Sequence, residues 1–137
     1  MTRINTIDVE HLTDQHLLAE IREITRLPGN LEKSLNRKSK PFSEAEIPSE
    51  YKLGKNHVKF FYDKFQWLER RFTELLEECD KRGFRISNKD ASIFRNVPKK
   101  YYKDWEVTFE SRLLNEQRLG DRITAKPDFY RYYGRKL

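Results

Sequence analysis

The stretch from Lys64 to Arg82 constrains the fold of this chain more than any other. Phe65, Leu68, Phe72, Leu75, Leu76 and Cys79 recur at intervals of three and four residues, which lines them along one side of an α-helix. Asp63 stands where a capping side chain would accept from the first free amides. Gly83 stands where a helix stops, because glycine enters the left-handed conformation at little steric cost. A helix with one apolar stripe and a charged outer side needs other elements to cover the stripe.

Two further segments can supply that cover. The first opens at Thr13 or Asp14, either of which can cap it, and carries Leu17, Leu18, Ile21, Ile24 and Leu27. Pro28-Gly29 is expected to break it, with Asn30 capping a short continuation through Leu31 and Leu35. The other runs from near Thr108 to about Ala125 and is expected to bury Phe109, Leu113, Leu114 and Ile123 before Pro127 stops it. The stretches 38–62 and 84–106 lack periodicity, and loops of that length are expected to be functional or mobile. No alternating strand or internal repeat is visible. The expected fold is all-α: a single compact domain over 1–137, with about three main helices and long irregular loops.

Charged residues make up 36% of the chain, as many as the hydrophobic ones, so a modest core lies under a heavily charged surface. Aromatics at 13% supply large burial per residue. The net charge of +6 favours an anionic partner. No apolar run is long enough to span a bilayer, the N-terminus lacks the pattern of a secretory signal, and the single cysteine cannot form an internal disulfide. A monomeric intracellular protein with no membrane association is expected, in the cytoplasm or nucleoid or in the DNA-containing compartment of a virus-infected host.

Residue types with chemical potential cluster at the two ends. Removal of Met1 before the small Thr2 would free an α-amine with a pKa of about 7.7–8.0, against about 10.4 for lysine, leaving a useful neutral fraction for attack on carbon. On the first helix, His16, Glu23 and Arg26 share a broad face, and Arg22 stands four residues before Arg26. That is either a carboxylate ringed by cations, suited to proton transfer beside a phosphate, or a solvated face on which Glu23 pairs with Arg26. His16 has no metal-ligand spacing around it, and a structural or phosphate-contacting role is expected. Cys79 falls on the apolar stripe and reads as inert packing.

The C-terminal run Phe129-Tyr130-Arg131-Tyr132-Tyr133-Gly134-Arg135-Lys136 interleaves rings with cations. Residues 118–137 hold six Lys/Arg against two Asp. Such a segment can stack on unpaired bases while holding phosphates, or it can simply dock on the core.

Taken in order, Thr2-Arg3-Ile4-Asn5, Asp14-Gln15-His16-Leu17, Ala19-Glu20, Arg22-Glu23, Arg26, His57-Val58, Phe60-Phe61-Tyr62-Asp63-Lys64, Lys81-Arg82-Gly83-Phe84 and Tyr130-Arg131-Tyr132-Tyr133-Gly134 resemble the pyrimidine-dimer DNA glycosylases, over nearly the whole chain and at almost constant spacing. The resemblance implies a compact all-α DNA repair enzyme whose N-terminal segment threads between helices, with Ile4 and Ile7 as apolar anchors. It implies action on cyclobutane pyrimidine dimers in ultraviolet-damaged duplex DNA, beside salt-dependent binding to undamaged DNA. The amine of Thr2 would attack the sugar C1′ at the 5′ base of the dimer, and β-elimination through the resulting imine would nick the strand. Glu23 would be the essential acid/base. Arg3, His16, Arg22, Arg26, Arg118 and Arg122 would surround the lesion or its phosphates, with Phe129, Tyr130, Arg131 and Tyr132 on the substrate side. No metal and no cofactor is implied. Phe129 stands where the family often has tryptophan, and Arg122 and Arg131 where lysine occurs. Two other classes fit composition alone: a non-catalytic basic helical module that binds nucleic acid, and a helical protein-interaction domain.

Overall fold

Four α-helices carry the chain: α1 (Asp14–Ile24), α2 (Leu27–Leu35), α3 (Phe65–Lys81) and α4 (Phe109–Ala125). The computed structural model describes residues 4–137. The all-α expectation holds, and among these residues no helix is long and apolar enough to cross a membrane.

Helix α3 is the central element. It buries Phe65, Trp67, Leu68, Phe72, Leu75 and Cys79 and packs against α1. Its stop is as the sequence predicts: Gly83 sits at φ +80°, its amide donates to the Asp80 carbonyl, and the Phe84 amide reaches back to Cys79. This pair of bonds satisfies two carbonyls that a bare helix end would leave open. Its start differs from expectation. Lys64, not Asp63, occupies the cap position, and no side chain caps there. The Asp63 carboxylate instead accepts from the Lys64 ammonium at 2.8 Å.

The first expected helix is two helices. Thr13 caps α1 by accepting the His16 amide at 3.1 Å, which leaves Asp14 free for another task. The break comes before Pro28 and not at it. Proline lacks the N–H that would bond the carbonyl four residues back, and its ring would clash with that carbonyl. The residue four back is Ile24, where α1 ends. Pro28 then lies in the first turn of α2, where a missing amide costs little. Asn30 is inside α2 and is not its cap.

The largest departure is on α4. It starts near Thr108 as expected, capped by that side chain, but Phe109 and Leu113 are 73% and 53% exposed and Leu114 is exposed as well. The buried face is Ser111, Asn115 and Leu119. Apolar periodicity misassigned this face because α4 covers polar backbone from the N-terminal segment, and buried backbone needs hydrogen-bond partners, not methyl groups.

That segment, Ile4–Ile7, is wholly buried. Asn115 Oδ1 accepts the amides of Thr6 at 3.0 Å and Ile7 at 3.4 Å, while its Nδ2 donates to Asn5 Oδ1. Thr6 Oγ1 donates to the Ser111 carbonyl. On the other side Asn5 Nδ2 donates to Glu20 of α1 at 2.8 Å, and Arg71 of α3 donates to the Ile7 carbonyl at 2.6 Å. The N-terminal chain therefore runs between α1, α3 and α4, as the resemblance implied.

The aperiodic stretches are not loose. Phe42, Tyr51, Phe60, Phe61, Tyr62, Phe94 and Tyr101 from these segments are buried in the main core, held partly by short 3-10 turns at Val58–Phe61 and Ala91–Phe94. Rings of Phe60, Phe61 and Trp67 pack with Trp105 at centroid distances of 5.1–5.9 Å. Large rings fill space from irregular backbone without any sequence period.

One small sheet was not expected. β1 (Arg131–Tyr132) pairs antiparallel with β2 (Arg135–Lys136). Tyr133 at φ 52° and Gly134 at φ 77° form the two-residue turn between them, the mirror-image geometry that matches strand twist.

Candidate functional site

The first turn of helix α1 faces the C-terminal hairpin. The Thr13 cap fixes the first turn and also meets His16 Nδ1 at 2.7 Å. The His16 ring stacks on Tyr130, with centroids 4.6 Å apart and planes 13° from parallel. From α4, Arg118 and Arg122 stand four residues apart on one face and bring their charges to His16. Burial and then these two guanidinium groups lower the His16 pKa from 6.5 to about 4. His16 is therefore a neutral ring at the edge of a cationic cluster, which suits contact with a phosphate held mainly by the arginines.

Two turns along α1, about 10 Å, lies Glu23. Its side chain is 18% exposed, and Arg26 Nη1 stands 3.5 Å from its carboxylate. The expected ion pair exists, and the carboxylate is largely sheltered. Arg22 is exposed beside it and, among the described residues, makes no ion pair. Tyr62 lies close by. Burial chiefly raises its hydroxyl pKa, with the charge of Glu23 adding to the rise. Arg26 sits at the α1–α2 junction, three residues after Glu23, and that spacing brings the two side chains together. Thr2 and Arg3 lie outside the described residues.

The tail residues divide. Tyr130 is buried, with its ring stacked on His16. The Arg131 guanidinium is turned onto the Asp128 and Tyr130 carbonyls of its own turn, so it too is engaged internally. Tyr132 is partly exposed, but its hydroxyl donates to the Glu10 carbonyl and Arg82 covers its ring at 4.7 Å. Phe129 is 52% exposed, with Lys126 Nζ 5.3 Å from its centroid. Of the four, Phe129 is the one that offers an open ring face. Docking is strong elsewhere: Gln15 bonds the Phe129 carbonyl and the Arg131 amide, and Asp14 accepts the amides of Tyr133 and Gly134.

Several positioning groups escape sequence reading. Arg82 is fully buried in its side chain, pairs with Asp14 and Glu78 at 3.0 and 2.8 Å, and lies over the rings of Tyr132 and Tyr133. Glu20, Arg71 and Asn115 anchor the N-terminal segment as described. The signal for them was a charge on an apolar stripe: Glu20 lies between Leu17 and Ile24, and Arg71 between Leu68 and Leu75. His57 carried no such signal.

Among the described residues, the grouping with metal-ligand proximity is Asp8, Glu10 and His11. All three are exposed, and Glu10 is paired with His11 at 3.8 Å. Cys79 is buried, with burial pushing its thiol up to about 11, so it is not a nucleophile at neutral pH.

Residues 1–92 of the chain match the family model described as pyrimidine dimer DNA glycosylase.

Proposed function

The chain belongs to the pyrimidine dimer DNA glycosylase family, and on that premise we propose that it is a bifunctional glycosylase and abasic-site lyase acting through its N-terminal amine. With Met1 removed, the Thr2 nitrogen attacks C1′ of the 5′ nucleotide of a cyclobutane dimer. The C1′–N bond breaks and its electron pair leaves with the base, which stays tethered to its neighbour through the cyclobutane ring. Loss of the amine proton and opening of the sugar ring give an iminium between Thr2 and C1′. Removal of a 2′ proton then expels the 3′ phosphate, and the strand is nicked.

Glu23 is the acid/base in this scheme. It stabilises positive charge as the sugar opens and helps remove the 2′ proton. Arg22, Arg26, Arg118, Arg122 and Arg3 hold flanking phosphates, with His16 beside them. Phe129 stacks against the distorted strand. A dimer already weakens stacking, so bending the duplex there costs less than elsewhere, a source of selectivity. The scheme draws on no metal, since imine chemistry supplies its own electron sink. The protein acts as a monomer on one lesion, and its binding to undamaged DNA depends on salt.

The observation that carries the reading is the burial of Ile4–Ile7 between α1, α3 and α4. Thr2 is two residues upstream of Ile4, at most about 7 Å of chain, so its reach is confined to the neighbourhood of these helices. The test is borohydride reduction in the presence of abasic-site duplex. It should trap one covalent adduct, mapped by peptide mass to Thr2, and acetylating the α-amine should abolish it. An adduct on a lysine overturns the assignment.

A further inference from the structure

We propose that His57 is a positioning residue for this reaction: its imidazole fixes the backbone of residue 4 and so sets where the N-terminal amine can reach. The inference rests on Thr2 being the nucleophile.

His57 is buried at the start of the turn Val58–Phe61. Its Nδ1 lies 2.6 Å from the Lys52 carbonyl. A carbonyl can only accept, so Nδ1 carries the proton. Nε2 is then an acceptor, and the Ile4 amide donates to it at 2.9 Å. One neutral tautomer satisfies both contacts, and no other does. The Ile4 carbonyl is held in turn by the Tyr51 hydroxyl at 3.0 Å. Both polar groups of the Ile4 backbone are thereby pinned from one side, while Asn115 pins Thr6 and Ile7 from another.

The imidazole cannot rotate to release Ile4. Tyr51 and Phe61 pack edge-on against its ring at 5.3 and 5.8 Å, and these rings belong to the aromatic core. The Ile4 amide is buried and needs an acceptor, and His57 Nε2 is the one that meets it. That amide belongs to the stretch that leads to the proposed nucleophile. A misplacement of about 1 Å at a reacting atom can cost about 100-fold in rate, so one buried hydrogen bond two residues away is enough to control the rate.

The test separates the two bonds. The amide nitrogen of asparagine falls near Nδ1, so His57→Asn keeps a donor for Lys52 and loses the acceptor for Ile4. The side-chain oxygen of glutamine reaches the Nε2 position, so His57→Gln keeps the acceptor and loses the donor. Single-turnover borohydride trapping on abasic-site duplex should slow about 10- to 100-fold in His57→Asn and stay within about threefold of wild type in His57→Gln, with the Kd for lesion duplex unchanged in both. A merely structural role would lower the melting temperature of both variants and leave the trapping rate of the folded fraction alone.

Equal rates in folded His57→Asn and wild type, or equal loss in both variants, overturn the proposal. If His57→Asn does not fold, nitrogen-15 NMR of the wild-type imidazole decides: an Nδ1–H neutral tautomer supports it, and an Nε2–H tautomer or a charged ring at the assay pH overturns it. The wild-type adduct map keeps the two claims apart. An adduct on Thr2 with a fast His57→Asn removes this inference alone, whereas an adduct on a lysine removes the nucleophile assignment beneath it.

Discussion

Arg71 holds both oxygens of Glu20, with Nε at 2.7 Å and Nη2 at 3.0 Å, and extends its third nitrogen to the Ile7 carbonyl. This pair joins α3 to α1 across the N-terminal segment, and both side chains are almost fully buried. The pair secures the segment's path more than it adds stability, since desolvating two charges offsets much of their attraction.

Breaking the pair from one side should be severe. Arg71→Met leaves the Glu20 carboxylate buried with the Asn5 amide as its remaining partner among the described residues, and should destabilise the fold by about 3–5 kcal/mol. Against a total of about 5–15 kcal/mol, that is a large share. Urea unfolding monitored by tryptophan fluorescence measures it, and a loss below 1 kcal/mol would show that the pair is not desolvated as described.

Glu23→Gln should leave the fold intact, because among the described residues the half-buried Glu23 has Arg26 as its ion-pair partner, through a largely exposed guanidinium, a pair worth about 0–1 kcal/mol. It should abolish glycosidic cleavage while retaining binding to dimer-containing duplex, since no cation is lost. Gel-shift and nicking assays on the same irradiated substrate separate the two effects. Unchanged nicking would remove Glu23 from the mechanism.

Phe129 and Tyr130 should behave oppositely despite being neighbours. Tyr130→Ala removes a buried ring stacked on His16 and should cost about 3–5 kcal/mol of stability. Phe129→Ala should change stability little and weaken binding to lesion duplex by about 1–3 kcal/mol, the range for one aromatic–base stack. Thermal melts and titrations of the two variants give the comparison, and the reverse pattern would mean that the hairpin undocks to bind.

His16 gives a pH signature. Its folded pKa of about 4 is below the unfolded 6.5, so the unfolded chain binds the extra proton first as pH falls. Its contribution to stability is therefore complete above 6.5 and is lost progressively between 6.5 and about 4. A phosphate beside Arg118 and Arg122 would offset their repulsion but not the larger effect of burial, so DNA binding should raise this pKa part of the way, take up a fraction of a proton as pH falls toward about 4, and tighten there. Calorimetric titrations in buffers of different ionisation enthalpy measure that uptake, and His16→Gln should abolish it.

The helical nature of this chain, the apolar stripe and stop of α3, the start of α1 at Thr13 or Asp14, the start of α4 near Thr108 and the anchoring by Ile4 and Ile7 were legible in the sequence. Each depends on local chemistry: a period, a cap, a glycine, a run of apolar side chains. The pieces that resembled the glycosylases were legible for the same reason, as fixed residues at fixed spacing.

Tertiary structure alone decided which face of α4 is inside, because its neighbour is polar backbone and not an apolar stripe. It also decided that Tyr130 is core while Phe129 is open, which the sequence left as two equal roles for adjacent rings. The pairings of Glu20 with Arg71, Asp14 with Arg82, and His57 with Ile4 join residues 51, 68 and 53 positions apart. No local rule reports such contacts. They exist because buried polar groups must find partners wherever the packed helices bring them, and those partners set the course of the chain leading to Thr2.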